Sequence, residues 1–187
     1  MDFVFVRHGQ SVANAEGWIS GHTDVPLTEL GRSQARALVP HLAQLPIDQA
    51  FCSDLQRARV TAELALDGRL PLRVLPGLRE RTLGPWEGRP RQELRDLGHW
   101  DSLLTWRGAP PGAESQARLA ARVLPVLHSL PGAECTLVVA HGGLIRVVLG
   151  LLDGVPVEDI GRNKVANATP IRRRVAPGRF QELLEHV

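Results

Sequence analysis

Short apolar runs alternate with longer amphipathic segments along the chain. The first run is FVFV at residues 3–6, and the others include AFC at 50–52 and TLVVA at 136–140. In the first and last runs the apolar residues do not alternate with polar ones, which predicts strands buried on both faces. The amphipathic segments between the runs predict helices. This order is typical of an α/β fold, and we predict a three-layer sandwich with a mainly parallel central sheet flanked by helices.

The strands can be placed from the same pattern. They are predicted at residues 2–7, 48–52, 72–75 and 136–140. The tail contains IRRRV at 171–175, the turn APGR at 176–179 and FQELLEHV at 180–187. Turn residues between two such runs predict a hairpin or a strand pair at the edge of the sheet.

The predicted helices have recognisable starts. Thr28 can cap a helix whose apolar stripe, at helical spacing, consists of Leu30, Ala37, Leu38, Leu42 and Leu45. Ser53 and Gln56 have the spacing of a capping box for a helix that ends near Leu66. Two further helices are predicted. One spans about 113–130, and the other follows HGG at 141–143 and ends at Leu152.

Composition limits the size and class of the protein. With 187 residues, of which 43% are hydrophobic, we expect a single domain spanning 1–187, with a helical, lid-like insertion at about 89–112. The net charge of +2 favours neither a nucleic-acid nor a membrane partner. No signal peptide or membrane-spanning run is found, so we expect a cytoplasmic protein, as a monomer or homodimer.

Three strand ends carry the chemistry. The first predicted strand leads into Arg7 and His8, the second into Ser53 and Arg57, and the last into His141. The carboxyl ends of parallel strands share one edge, where ligands bind. The second and third motifs also open helices, whose first amides and dipole favour an anion. Because the guanidinium fork matches phosphate oxygens, these residues predict a phosphate site.

The motifs resemble those of the histidine phosphatase superfamily, which includes cofactor-dependent phosphoglycerate mutases and related phosphatases. Five ordered blocks carry the resemblance over nearly the whole chain: RHGQSVAN at 7–14, GHTDVPLTELG at 21–31, CSDLQRARVTA at 52–62, LRERTLGPWEG at 78–88 and VVAHGGLIR at 138–146. An RHG triplet alone is weak evidence, whereas five blocks in order are specific. The resemblance implies a phosphoglycerate mutase-like fold.

The resemblance also implies roles for single residues. His8 is expected to be the nucleophile that accepts the phosphoryl group, and Arg7, Arg57 and His141 are expected to clamp its oxygens. Glu80 is expected to be the general acid, although Glu87 in PWEG offers a second carboxylate. Further substrate contacts are assigned to Asn14, Ser20, Gly21 and Gly142. No cofactor and no metal are expected.

The predicted function is hydrolysis of small phosphate monoesters through a phosphohistidine, without a metal. The chain has no tyrosine and lacks the long basic insertion expected of mutases, so mutase activity is the alternative, as is a non-catalytic phospholigand-binding protein. LGPWEG and GAES resemble both broad-specificity and α-ribazole phosphatases, and the sequence does not choose between them.

Cys52 and Arg57 stand one residue too close for the loop of a cysteine phosphatase. A metal site at His8, His22 and His141 is disfavoured by the neighbouring arginines.

Overall fold

A computed structural model describes all residues, 1–187, and its centre is a five-stranded sheet. The strands are β1 (Asp2–Arg7), β2 (Gln49–Cys52), β3 (Leu72–Val74), β4 (Cys135–Ala140) and β5 (Pro170–Arg174). Their order across the sheet is β3-β2-β4-β1-β5. All neighbours are parallel except β5, which runs antiparallel to β1 at one edge. The predicted α/β class with a mainly parallel sheet is confirmed.

Ten α-helices surround the sheet. They are α1 (Val12–Glu16), α2 (Glu29–Ala37), α3 (Val39–Ala43), α4 (Gln56–Leu66), α5 (Arg91–Asp96), α6 (Trp100–Leu104), α7 (Gln116–His128), α8 (Gly142–Leu152), α9 (Val157–Ile160) and α10 (Arg179–Leu184). Single 3₁₀ turns occur at Pro76–Leu78 and Gly84–Trp86. None of the helices combines the length and the apolar character needed to cross a membrane.

Two apolar layers, one on each face of the sheet, form the core. In β1, Phe3 and Phe5 pack into the layer that includes residues of α7, α8 and α10, whereas Val4 and Val6 pack into the layer that includes residues of α3 and α4. All four side chains are buried. Successive side chains of a strand point to opposite faces, so the unbroken apolar run reflects burial on both sides, as predicted.

The helix after Thr28 differs from its predicted stripe. Thr28 does cap α2, because its hydroxyl accepts from the Gly31 amide at 3.0 Å. However, Leu30 is 54% exposed and Ala37 is also exposed. The predicted Leu38 and Leu42 are buried and Leu45 is half-buried, whereas Gly31 and Ala35 form the buried face of α2. The stripe is therefore confirmed in its second half and wrong in its first, where a glycine packs directly on backbone.

The predicted capping box of α4 is absent. Leu55 is the N-cap, and the Ser53 hydroxyl accepts from the Leu55 amide at 3.3 Å. The Gln56 amide donates instead to the Asp24 carboxylate at 2.8 Å. An acceptor from another loop therefore caps this helix, which no local spacing rule could indicate.

Of the two strands predicted in the chain's tail, one is present and the other is a helix. Residues 170–174 form edge strand β5, but FQELLEHV is helical over α10 and does not form a strand. Phe180 and Leu183, three residues apart, are buried. The Phe180 ring meets the edge of Phe3 at 5.2 Å between centroids. A short helix buries this i, i+3 pair against the core, which a strand would place on opposite faces.

Candidate active site

The register of the sheet brings three strand ends to one cavity. Arg7 pairs with Ala140 across β1 and β4, and Cys52 pairs with Val139 across β2 and β4. The cavity outside these ends has a volume of about 580 Å³. Its lining includes each residue that was expected to be catalytic or to contact the substrate: Arg7, His8, Asn14, Ser20, Gly21, Arg57, Glu80, His141 and Gly142. Ser53 and the alternative acid Glu87 lie outside it.

One ring nitrogen of His8 forms a hydrogen bond with the backbone. Its Nδ1 lies 2.7 Å from the Gly9 carbonyl oxygen, which can only accept, so Nδ1 carries the proton. Nε2 of the neutral ring consequently keeps its lone pair. Burial, followed by the charges of Arg57 and Arg7, lowers the pKa of His8 well below its usual value. The imidazole is therefore neutral and nucleophilic at neutral pH.

Two arginines flank the histidine and are fixed by carbonyl groups. Arg57, 1% exposed, donates from Nη2 to the Gly21 oxygen at 2.7 Å and from Nη1 to the Thr23 oxygen at 3.0 Å. Arg7 donates from Nη1 to the Val165 oxygen at 2.6 Å. The Nε of each arginine is buried without a partner in the protein. Neither guanidinium is paired with a carboxylate, so both can bind a phosphoryl oxygen.

His141 is the N-cap of α8 and is fully buried. Its ring centroid lies 5.3 Å from that of His8, and neither ring nitrogen has a partner in the protein. Burial, followed by the positive charges of Arg57 and Arg7, lowers its pKa well below the usual value. A neutral His141 can donate one N–H to an oxygen of a group attached to His8.

Glu80 lies beside the first turn of α8. Its Oε2 accepts from the Gly143 amide at 2.8 Å and its Oε1 from the Arg81 amide at 3.0 Å. A Cβ on Gly143 would stand 2.4 Å from Oε1, so only glycine permits this approach. His22 Nε2 donates to the Glu80 carbonyl oxygen at 2.7 Å and helps to hold the segment. Glu80 therefore presents a positioned carboxyl group to the cavity.

Glu87 has a different setting. Its two oxygens accept five hydrogen bonds, from the amides of His22, Thr23 and Leu83 and the hydroxyls of Thr23 and Thr82. Burial raises the pKa of this carboxyl group, but these bonds outweigh it and lower the pKa overall. Glu87 joins two loops and does not line the cavity.

The remaining assigned residues have mixed surroundings. Asn14 Oδ1 accepts from the Ser11 amide at 3.3 Å, completing a capping box for α1, and also from Asn167 Nδ2. Its Nδ2 stays available to donate elsewhere. The Gly21 carbonyl oxygen accepts a hydrogen bond from Arg57, and Gly142 packs against the Arg7 side chain. Ser20 lines the cavity.

Four cations of the cavity were not found from the sequence: Arg81, Arg91, Arg146 and Lys164. They lie in an arginine-rich chain in which positive charge alone does not distinguish them from surface arginines. Two of them have a sequence signal: Arg81 follows Glu80 inside the block at 78–88, and Arg146 ends the block at 138–146, four residues after Gly142. Asn167, which donates to the His8 carbonyl at 2.7 Å, was also missed because it is 159 residues away.

The structure offers little support for a metal site or for a cysteine nucleophile. No group of three or more histidine, cysteine, aspartate or glutamate side chains is placed to hold a metal ion. Cys52 is a free, fully buried cysteine, and burial raises the pKa of its thiol to about 12. The thiolate needed for nucleophilic attack is therefore strongly disfavoured.

Comparison with known proteins agrees with this geometry. The model of the histidine phosphatase superfamily (branch 1) matches residues 3–185. The chain belongs to this superfamily. An adenosylcobalamin/alpha-ribazole phosphatase of Salmonella typhimurium is 36% identical over 171 residues, which cover 86% of this chain and 83% of that protein. A 2,3-bisphosphoglycerate-dependent phosphoglycerate mutase 2 of Gloeobacter violaceus is 34% identical over 195 residues, covering 97% and 89%.

Solved structures of histidine phosphatases share the fold. A mycobacterial glucosyl-3-phosphoglycerate phosphatase in complex with VO3 superposes with a TM-score of 0.84 and 31% identity, over 91% of each chain. The same mycobacterial protein has also been solved with inorganic phosphate. Relatives at this level of identity include both phosphatases and mutases, so membership of the superfamily leaves the exact activity open.

Proposed function

We propose that this histidine phosphatase hydrolyses small phosphate monoesters through a phosphohistidine on His8. One observation carries the proposal: His8 Nδ1 donates to the Gly9 carbonyl, which leaves the Nε2 lone pair on a buried ring next to two unpaired arginines. A neutral, oriented imidazole is the nucleophile that phosphoryl transfer requires. Oxyanion complexes of the mycobacterial relative support a small phosphorylated ligand.

In the first step, Nε2 of His8 attacks phosphorus and the bond to the alcohol oxygen breaks. Arg7 and Arg57 bind the equatorial oxygens, where negative charge is spread in the transition state. His141 adds a neutral N–H donor without repelling the phosphorylated ring. The carbonyl partners of Arg57 fix its guanidinium before the substrate arrives, so little reorganisation is needed.

Glu80 completes the cycle. An alkoxide leaves poorly unless it is protonated, and Glu80 is a carboxyl group in the cavity wall that can supply the proton. The resulting carboxylate then takes a proton from water as the water attacks the phosphohistidine. Inorganic phosphate leaves, and His8 and Glu80 return to their starting states.

We favour hydrolysis over mutase activity, as the missing tyrosine and basic insertion suggest. In their place, α5 and α6 add Arg91, Trp100, Leu103 and Leu104 to the cavity wall. We take residues 89–112 as a lid-like insertion that shapes the alcohol side of the site. The arginine and histidine clamp needs no metal, so the reaction should proceed in the presence of a chelator.

Trapping the intermediate tests the proposal. Rapid quenching during turnover of p-nitrophenyl phosphate should give a phosphoprotein whose phosphate is acid-labile and base-stable. The His8→Ala variant should lose it, whereas His128→Ala, which removes an exposed histidine, should keep it. The same amount should form with EDTA present.

Three results would count against the mechanism. They are phosphate trapped on Cys52, full phosphorylation of the His8→Ala variant, and an EDTA-treated enzyme that recovers only when metal is added. Rapid interconversion of 2- and 3-phosphoglycerate with little release of inorganic phosphate would make the protein a mutase instead.

A further inference from the structure

We propose that the outer part of the cavity binds a second anionic group of the substrate, held by Arg91, Arg146 and Lys164. The substrate class is then a phosphate monoester whose alcohol part carries a carboxylate or a second phosphate. This inference rests on the proposed function, because it concerns the alcohol side of the same site. It does not depend on which phosphorylated metabolite is used.

The first support is the charge of the lining. The cavity wall contains six cationic side chains, Arg7, Arg57, Arg81, Arg91, Arg146 and Lys164, and a single carboxylate, Glu80. Arg7 and Arg57 suffice for the two charges of a phosphate monoester. Four further cations in one small cavity favour a ligand that carries additional negative charge.

The second support is that none of these six cations has a carboxylate partner. Elsewhere on the protein, eight arginines form ion pairs: Arg36, Arg79, Arg89, Arg122, Arg172, Arg173, Arg174 and Arg179. Half of the sixteen arginines outside the cavity wall have such a partner and half do not. The gathering of unpaired cations in one cavity, and not the lack of partners alone, therefore favours an anionic ligand.

The third support is burial. Arg81 is 5% exposed; its Nη2 donates to the Leu103 oxygen at 2.7 Å, while its Nη1 is buried with no partner. Arg146 Nε is likewise buried and unpartnered. A buried cation without an anion is costly, and an anionic ligand in the cavity would offset that cost. Burial lowers the pKa of Arg81 to about 10, which still leaves it charged at neutral pH.

The three proposed ligands come from separate elements. Arg91 begins α5, Arg146 lies in α8 and Lys164 lies in the loop before β5. Trp100 and Leu104 form an apolar part of the same wall. A short carbon chain could pack on this wall while its two anionic ends reach the inner arginines and the outer cations.

Matched substrates test the inference and distinguish the two kinds of anion. D-3-phosphoglycerate and sn-glycerol 1-phosphate share the configuration of the central carbon and differ only by a carboxylate in place of a hydroxymethyl group. Propane-1,3-diol bisphosphate and 3-hydroxypropyl phosphate differ by a second phosphate. In at least one pair, we expect kcat/KM to be about tenfold to a hundredfold higher for the substrate with the second anion, the range of one charged hydrogen bond.

Single variants then locate the effect. Arg146→Met and Lys164→Met should each remove most of the preference, by lowering kcat/KM for the doubly anionic substrate much more than for its partner. Arg162→Met is the matched control, because Arg162 is exposed two residues from Lys164 and does not line the cavity. Lys164 is itself exposed, so its replacement leaves the core intact.

The outcomes separate this inference from the proposed function. Equal kcat/KM within both pairs, or a preference that survives both variants, overturns the second-anion site while hydrolysis stands. If neither substrate of a pair is hydrolysed, calorimetric binding to the His8→Ala variant decides. Tighter binding of the doubly anionic compound, lost in a double variant with Lys164→Met, supports the site without any turnover, and equal binding rejects it.

Discussion

Glu80 and Glu87 lie close together in the sequence but differ in their hydrogen bonds and in their access to the cavity. Glu80 accepts two amide hydrogen bonds and lines the cavity, so its carboxyl group is within reach of a ligand. Glu87 accepts five bonds, and its lowered pKa keeps it ionised. Its bonds hold the segment whose Gly21 and Thr23 carbonyls fix Arg57. Glu80 is thus placed to meet a bound ligand, as the proposed mechanism requires, whereas Glu87 positions the loop that holds Arg57.

Glu80→Gln should slow the hydrolysis of alkyl phosphates by about 10² to 10⁴, the usual contribution of general acid catalysis. Formation of phosphoenzyme from p-nitrophenyl phosphate should fall much less, because nitrophenolate leaves without protonation. Burst and steady-state rates on both substrates measure the difference.

Glu87→Gln is the matched control for that measurement. It should change the rates on alkyl and aryl substrates by a similar, modest factor, since it disturbs Arg57 and not the leaving group. If Glu87→Gln gives the loss that depends on the leaving group, and Glu80→Gln does not, the two roles are exchanged.

At the scale of the secondary-structure elements, α2 packs directly on the backbone that follows His8. A Cβ on Gly31 would stand 2.0 Å from the Gln10 carbonyl oxygen, and a Cβ on Gly9 would stand 2.3 Å from the Gly31 oxygen. The two glycines let the first turn of α2 pack directly on the backbone after β1. Thr28 adds to this contact, because its amide donates to the Gln10 oxygen at 3.0 Å.

Gly31→Ala should therefore destabilise the protein by about 1 to 3 kcal/mol, the usual range for overpacking, although alanine favours a helix. It should also lower kcat, because the backbone beside His8 must move. Urea unfolding and steady-state kinetics test both effects. Ser33→Ala, at an exposed position of the same helix, should change neither. A Gly31→Ala protein of unchanged stability would show that this contact is loose.

The elements differ in how far the sequence predicts them. Strands β1 and β4 follow from uninterrupted apolar runs, because burial on both faces leaves a direct signal. The cap of α4 and the tail helix α10 do not, because Asp24 and the Phe3 ring that stabilise them lie far away in the chain. The site divides in the same way: His8 and Arg57 are indicated by motifs, whereas Arg91 and Lys164 are identified only by the cavity that they line.

At the scale of the whole molecule, two buried histidines couple stability to pH. The pKa values of His8 and His141 are lowered well below 6.5, mainly by burial. Below pH 6.5 the unfolded chain binds protons at these positions and the folded protein does not. Their contribution to stability is therefore complete above pH 6.5 and is lost as the pH falls.

Between pH 7 and pH 5.5 the free energy of unfolding should decrease by about 2 to 3 kcal/mol from these two residues together. Urea unfolding across this range measures the decrease. In a His8→Gln, His141→Gln double variant the dependence should flatten. Carboxylates with lowered pKa values, such as Asp54 and Asp153, act only at lower pH and do not interfere. An unchanged slope in the double variant would show that other groups are responsible.

The strand order also has a consequence for biosynthesis. β1 is made first, yet both of its neighbours, β4 and β5, come from the last third of the chain. At ribosomal speeds, Phe3 to Val6 wait on the order of ten seconds before residues 135–174 exist to cover them. During that interval an apolar strand has neither of its hydrogen-bonding partners, and the nascent chain depends on chaperones or on non-native contacts for protection. The candidate active site, whose wall includes His141 and Lys164, can assemble only near the end of translation.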